Sequence, residues 1–384
     1  MSNDLNLSPL FQPLTIGNLR LANRFVMPAM QRMLCMGGRP TPRLIDYYCR
    51  RASGGVGLII TEACAIDHPS SSQNPLFARM DQSTADDWAR CVAAVNSAGA
   101  PMLMQLMHEG AIRREGGDGP YAGYPTLSAS GLVGPEIKNG RAASRGELEE
   151  IKDGFVRSAL LAQQAGFAGV EIHAGHGALL DQFLWSETNR RTDEYGGPRI
   201  KDRVRYPAYI IGAVRRAVGT DFVISLRFSQ WKEVDFDARI VNSPDELKLM
   251  LDAMSDAGVD IFHASARRFW APEWPGSDLA LAGWAKSLTG ATVISVGSVG
   301  LDIDVMTNLN RDEANSTGAV GLRKLAHRFN NGEFDLVSVG RSLIGDAEWV
   351  EKVRTGRYAD IKMFAKKDLL GGLEMSDFNQ YASH

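Results

Sequence analysis

Short apolar runs alternate along this chain with longer stretches in which apolar residues recur every three or four positions. The first pattern has the length of a strand and the second the period of an amphipathic helix. The runs at 24–30, 56–62, 102–107, 169–173, 222–228, 260–265, 292–296 and 336–339 are expected as strands. They are apolar on both faces, as strands of a parallel sheet covered on both sides should be. The stretches at 43–52, 85–98, 147–165, 202–217, 245–257 and 348–354 are expected as helices. Ser144 stands three residues before Glu147, and Ser243 three before Glu246, which is the spacing of a capping box. Gly166, Gly258 and Gly356 stand where three of these helices should end.

Eight strands at a recurrent strand–helix period predict an α/β fold, a closed (β/α)8 TIM barrel occupying residues 1–365 as one domain. A doubly wound open sheet is the alternative. Against it, no strand runs into the G-x-G-x-x-G loop that a dinucleotide site of that kind requires. Two segments, 109–141 and 265–277, read as long loops on the active face. The tail at 366–384 is poorly patterned and suits packing on the barrel or on a neighbouring subunit, so a homo-oligomer is one of the partners considered.

Composition narrows the class. The chain has 384 residues, 44% of them hydrophobic and 23% charged, which is ordinary for a globular protein with a sizeable core. A net charge of −3 gives no electrostatic reason to expect nucleic acid or an anionic membrane as partner. Cys35, Cys49, Cys64 and Cys91 are dispersed, at spacings suited neither to structural zinc nor to an iron–sulfur cluster, so no metal is expected. The opening residues carry no basic region followed by an apolar stretch, and no run approaches the roughly 18 apolar residues of a membrane helix. A cytoplasmic location is expected.

Chemistry gathers at the ends of the expected strands. Glu171, Ile172, His173, Ala174, Gly175, His176 and Gly177 bring two imidazoles to the end of strand four. Such a pair can polarise a carbonyl or nitro oxygen by donating hydrogen bonds. The plainer readings are metal ligation or the holding of a loop. Arg227, ending strand five, can stabilise negative charge on a bound group or simply pair with a loop carboxylate. Gln105 is an amide within an apolar run. Gly297 and Ser298 follow strand seven, and Gly340 and Arg341 follow strand eight, the positions at which barrels build phosphate sites. Two ordinary glycine-bearing turns are the plainer account of these.

Taken together these residues resemble the Old Yellow Enzyme family of FMN-dependent ene-reductases. The resemblance runs from Leu10 to about Gly356. It rests on Leu10, Phe11, Gly17, Asn18, Asn23 and Arg24 at an N-terminal hairpin and first strand, and on the run from Gly57 to Ala63. Gln105 to His108 continue it, and its most specific part is Asp181 to Leu184 with Thr188 to Gly197. The resemblance implies that Pro28, Ala29, Met30, Gln31 and Ala63 line one side of the flavin ring. It implies that Gln105 bonds the pyrimidine edge and Arg227 faces N1. Gly297, Ser298, Gly340 and Arg341 would hold the phosphate, and His173 and His176 would anchor the substrate's oxygen as the catalytic pair. The implied activity passes hydride from NADH or NADPH, through FMN, to an activated alkene or nitro compound, with phenols as ligands.

Four positions depart from that pattern. Ala178 stands where such enzymes usually carry the tyrosine that protonates the substrate's α-carbon. The proton would then come from water or from another residue, with Tyr121 and Tyr124 as the candidates. Gln31 replaces a Thr or Cys beside the flavin, and Pro28 and Ala29 reverse the usual order. Trp185, Trp270 and Trp274 suit either an aromatic substrate wall or packing beneath a lid. Two alternatives therefore accompany the main reading: a flavin-dependent amine dehydrogenase lacking an iron–sulfur cluster, and a barrel lyase or binding protein with no redox role.

Overall fold

Eight parallel strands close on themselves in the computed structural model of this chain, which describes residues 5–114, 116, 119–310 and 313–369. In chain order they are Phe25–Met27, Leu58–Ile60, Met102–Met107, Gly169–His176, Val223–Lys232, Ile261–Ser265, Thr292–Val296 and Leu336–Ser338. Each pairs with the next, and the eighth pairs with the first, so the expected barrel is observed. The third and seventh strands have the expected bounds. The fourth and fifth run three and four residues further, because their polar ends continue the ladder as His176 opposite Lys232. Only residues 366–369 of the expected tail are described; 370–384, and 115, 117 and 118 of the long third loop, lie outside the described residues.

Helices cover the outside of the barrel. Pro42–Ser53 starts with proline in its first turn, and its Thr41 side chain accepts from the Leu44 N–H. Ser144 and Glu147 form the complete capping box of Arg145–Gln164. Ser243 makes only half of one: its side chain accepts from Glu246 N, but the Glu246 carboxylate turns to the N–H of Asn242 instead. The single helix expected at 202–217 is two, Ile200–Arg203 and Arg205–Val218. The three helix-ending glycines all have positive φ, a conformation that costs glycine little.

Inward-facing side chains form layers, because alternate strand residues point to one face. Val26, Leu58, Ile60, Leu103, Val223, Ile261, Ile294 and Leu336 share one apolar cluster with Ile16, Leu19 and Leu21. Those last three belong to the hairpin Leu14–Ile16 and Leu19–Leu21, which therefore packs on this inner core. Two residues further along the third to sixth strands the interior turns polar: Gln105, Glu171, Ser225 and His263, all buried. Another two bring His173, Arg227 and Ser265 to the mouth.

Candidate active site at the barrel mouth

The polar layer is built around one buried carboxylate. Glu171 accepts from Gln105 Nε2 at 2.8 Å, Ser225 Oγ at 3.0 Å and His263 Nδ1 at 2.8 Å. Burial works against its charge, but His263, Arg227 and Gln105 prevail and hold it below the usual carboxylate range. Gln105 therefore has one amide proton committed inward, and only its other proton and its oxygen remain for a ligand. Glu171, Ser225 and His263 were not picked out from the sequence as a site. Their signal was there: each is a polar residue in an apolar strand, at the inward parity shared by Gln105, His173 and Arg227.

Arg227 lies above this layer. Register places it beside His173 on the fourth strand and His263 on the sixth. Its Nη1 donates to Ala29 O at 3.0 Å and its Nη2 to Ser265 Oγ at 3.4 Å, while Nε is buried without a partner. Among the described residues no carboxylate lies within ion-pair distance of it, although Glu171 below and Glu233 at the lip act on it through space. A half-buried guanidinium with no carboxylate in direct contact suits an anionic or electron-rich group at the mouth. The expected segment after the first strand is therefore brought to the expected arginine.

His173 and His176 stand with ring centroids 5.2 Å apart. Burial, reinforced by Arg227, lowers both pKa values, that of His173 to about 3, so both rings are neutral at pH 7. The Nδ1 of His173 is buried without a partner, which leaves Nε2 as its nitrogen for a ligand. His176 adopts φ +58°, a left-handed conformation costing a β-carbon-bearing residue about 1 kcal/mol or more. The structure overrides that cost from several sides. His176 N donates to Ser229 Oγ at 2.9 Å, the ring packs on Trp231 at 4.6 Å, and Nε2 meets Ser265 Oγ at 2.9 Å. Gly175 eases this approach, since a Cβ there would lie 3.0 Å from Ser229 Oγ and 3.1 Å from its nitrogen, so that Ser229 would have to shift slightly. Beneath the turn, Lys232 and Asp181 form a fully buried ion pair at 2.8 Å, and the second Asp181 oxygen accepts from Gly177 N.

Of the two readings of the tryptophans, packing rather than a substrate wall is the one observed. Trp185 is 3% exposed and packs in the outer core near Lys232, and Trp274 packs edge-on against Trp284. Trp270 lies against Phe269 and beneath Lys324. None of the three stands with the histidines; Trp231 does. Tyr121 and Tyr124 also stand elsewhere, Tyr121 against Arg79 and Tyr124 edge-on to His68. Ala178 is buried at the N-terminal cap of Leu179–Leu184 and offers no acidic proton.

Loops seven and eight do meet. Arg341 Nη2 donates to Ser298 Oγ at 3.3 Å, and Ser298 has φ +53° beside Gly297. Gly340 sits against Met30, whose sulfur would lie 3.4 Å from a Cβ there. The Arg341 guanidinium is also spent on Ile303 O, Asp304 O and Asn308 Oδ1, and burial lowers its pKa to about 10. Arg267 and Arg268 both pair with the buried Asp304 carboxylate. The Asp302 and Asp304 carboxylates both act on Arg341 as well, so three guanidiniums face two carboxylates and a positive excess of one remains on this side of the mouth.

The described residues contain no cluster of three or more His, Cys, Asp or Glu arranged to hold a metal, and none of their helices is long and apolar enough to cross a membrane. The profile of the NADH:flavin oxidoreductase / NADH oxidase family matches residues 9–360. Over 368 residues the chain is 34% identical to the NADH oxidase of Thermoanaerobacter brockii, a match covering 92% of this chain and 52% of that protein. It is 32% identical over 257 residues to the putative 12-oxophytodienoate reductase-like protein 2A of Arabidopsis thaliana, covering 66% of this chain and 94% of that one. The chain thus spans about half the length of the first relative and nearly all of the second. Morphinone reductase superposes with a TM-score of 0.76 at 24% identity, over 94% of this chain and 92% of the other. A structure of morphinone reductase in complex with tetrahydroNAD gives 0.77. These last two likenesses concern the fold.

Proposed function

Since this chain belongs to the NADH:flavin oxidoreductase / NADH oxidase family, we propose that it is an FMN-dependent NAD(P)H oxidoreductase whose acceptor is an activated alkene or a nitro compound. One observation carries the reading: an arginine with no carboxylate partner stands beside two neutral imidazoles at the mouth of a closed barrel. The residues fit the cofactor. The Arg227 cation suits the N1–C2=O edge of a reduced flavin, which becomes electron-rich. Pro28, Ala29, Met30, Gln31 and Ala63 would line one side of the ring, and the free part of the Gln105 amide would meet its pyrimidine edge. Gly297, Ser298, Gly340 and Arg341 would hold the phosphate, supported by the excess of Arg267, Arg268 and Arg341 over the Asp302 and Asp304 carboxylates.

When bound, FMN supplies the redox step, taking hydride from NADH or NADPH and giving it to the acceptor. The chain's own residues hold and polarise that acceptor. His173 and His176 are neutral donors, so they can bond a carbonyl or nitro oxygen and stabilise the charge that grows on it, without a buried cation to be neutralised first. Ala178 cannot protonate the α-carbon, which leaves that proton to solvent or to another residue.

The test is a titration of the purified yellow protein with 4-hydroxybenzaldehyde, followed by turnover with NAD(P)H and cyclohexenone. Long-wavelength charge-transfer absorbance and enone reduction are expected. Turnover of methylated amines with no enone reduction would replace this reading with amine dehydrogenation. A colourless protein that takes up no FMN would overturn it.

A further inference from the structure

We infer that Ser265 is a positioning residue that decides which ring nitrogen of His176 carries the proton, making His176 an Nδ1–H donor. The geometry stands by itself; its consequence for ligands rests on the proposed role of the histidine pair as an oxygen anchor.

The argument begins at Arg227, because a guanidinium can only donate. Its Nη2 donates to Ser265 Oγ at 3.4 Å, so that oxygen is an acceptor on this side. The same oxygen lies 2.9 Å from His176 Nε2. Arg227 and His176 are the partners of this hydroxyl among the described residues. Ser265 is 2% exposed, so its proton has no bulk water to turn to. The hydroxyl hydrogen is therefore directed at His176 Nε2, which must be the bare nitrogen. A neutral imidazole with Nε2 bare carries its proton on Nδ1. The opposite tautomer would leave the serine proton buried with no acceptor.

The chain of donors thus runs one way, from Arg227 to Ser265 to His176. Nδ1 of His176 meets no protein partner among the described residues, and neither does Nε2 of His173. These are the two nitrogens left to face a ligand, and the Arg227–Ser265 arrangement makes the first of them an N–H. Without the Ser265 hydroxyl, His176 would divide between tautomers, and part of the population would present an acceptor where a donor is needed.

Two-bond proton–nitrogen correlation spectra of the 15N-labelled, FMN-loaded protein report the tautomer directly, with the His176 ring assigned by its loss in His176→Asn. Nδ1–H is expected in the parent and in Ser265→Thr. In Ser265→Ala a mixed or Nε2–H ring is expected, with affinity for 4-hydroxybenzaldehyde reduced about fivefold to tenfold, the worth of one neutral hydrogen bond. FMN content should be equal in all three. Nε2–H in the parent, or the parent's tautomer retained in Ser265→Ala, overturns the inference; should Ser265→Ala fail to fold, the parent and Ser265→Thr spectra decide it. A parent with Nδ1–H that binds no phenol leaves the role of Ser265 standing and overturns the oxygen-anchor reading instead.

Discussion

Arg227 donates to the carbonyl oxygen of Ala29 at 3.0 Å, so the cation of the fifth strand is held by the backbone that follows the first. Neighbours in the closed barrel separate these strands, and only the mouth brings the two residues together. Arg227→Ala should weaken FMN retention at least about tenfold, since a hydrogen bond from a charged group is worth about 1.5–3 kcal/mol. Arg227→Lys should restore only part of this, because an ammonium cannot serve two acceptors in the geometry of a planar fork. Flavin released on dilution, followed by fluorescence, measures both. Full retention in Arg227→Ala would remove the arginine from the cofactor site.

His173→Ala and His176→Ala should each weaken phenol binding about tenfold or more, the worth of a lost donor in a buried site, while FMN affinity stays within about twofold. Spectral titration reads the first and ultrafiltration the second. Equal loss of both would mean that the imidazoles hold the loop rather than the ligand.

Ala178→Tyr tests the missing proton donor. A positioned general acid contributes about a hundredfold or more to a protonation-limited step, so enone reduction by the reduced enzyme should speed up by as much as that. Reduction of the flavin by NAD(P)H does not need that proton and should change little. Stopped-flow measurement of the two half-reactions separates them. An oxidative half-reaction no faster than the parent's shows that protonation does not limit this enzyme.

Acid should destabilise the fold earlier than its carboxylates alone would require. Burial lowers the pKa values of His68, His108, His173, His176 and His263 below the ordinary histidine range. Each folded pKa is depressed, so the unfolded chain binds the extra proton first. The stability these neutral rings contribute is complete above about pH 6.5 and is lost as pH falls toward their folded values, by up to about 1.4 kcal/mol per unit for each ring. Glu62 and Glu109, raised by burial to about 7, act in the opposite sense, and so do Asp181, Glu233 and Glu273, whose carboxyls burial also raises. The two sets oppose one another, so the histidine contribution is read by difference. His173→Asn replaces one neutral ring by a group that does not titrate, and its melting temperature should fall less between pH 6.5 and 4.5 than the parent's; equal falls would contradict a buried, neutral His173.

Most of the site residues were legible one at a time. His173, Arg227 and Gln105 interrupt apolar runs, and the strand period places them on one face without any knowledge of neighbours. What could not be read was company. Glu171 gathers Gln105, Ser225 and His263 from three other strands. Ser265 meets His176 across 89 positions of sequence. Trp231 rather than Trp185, Trp270 or Trp274 meets the histidines because the fifth strand continues past Arg227 along the fourth.

The sequence by itself determined the kind of fold, the places of its strands and of six helical stretches, and the inward parity of its polar residues, because each depends on a repeat of two or of about 3.6 within a few turns of chain. The helices Leu281–Thr289 and Gly318–Asn330 are not among those expected from it. Tertiary structure alone decided the hydrogen-bond partners, the neutrality of the imidazoles and the proton's place on His176. Those depend on which strands adjoin and at what register, and on how completely water is excluded. Both are properties of the closed barrel rather than of any one segment.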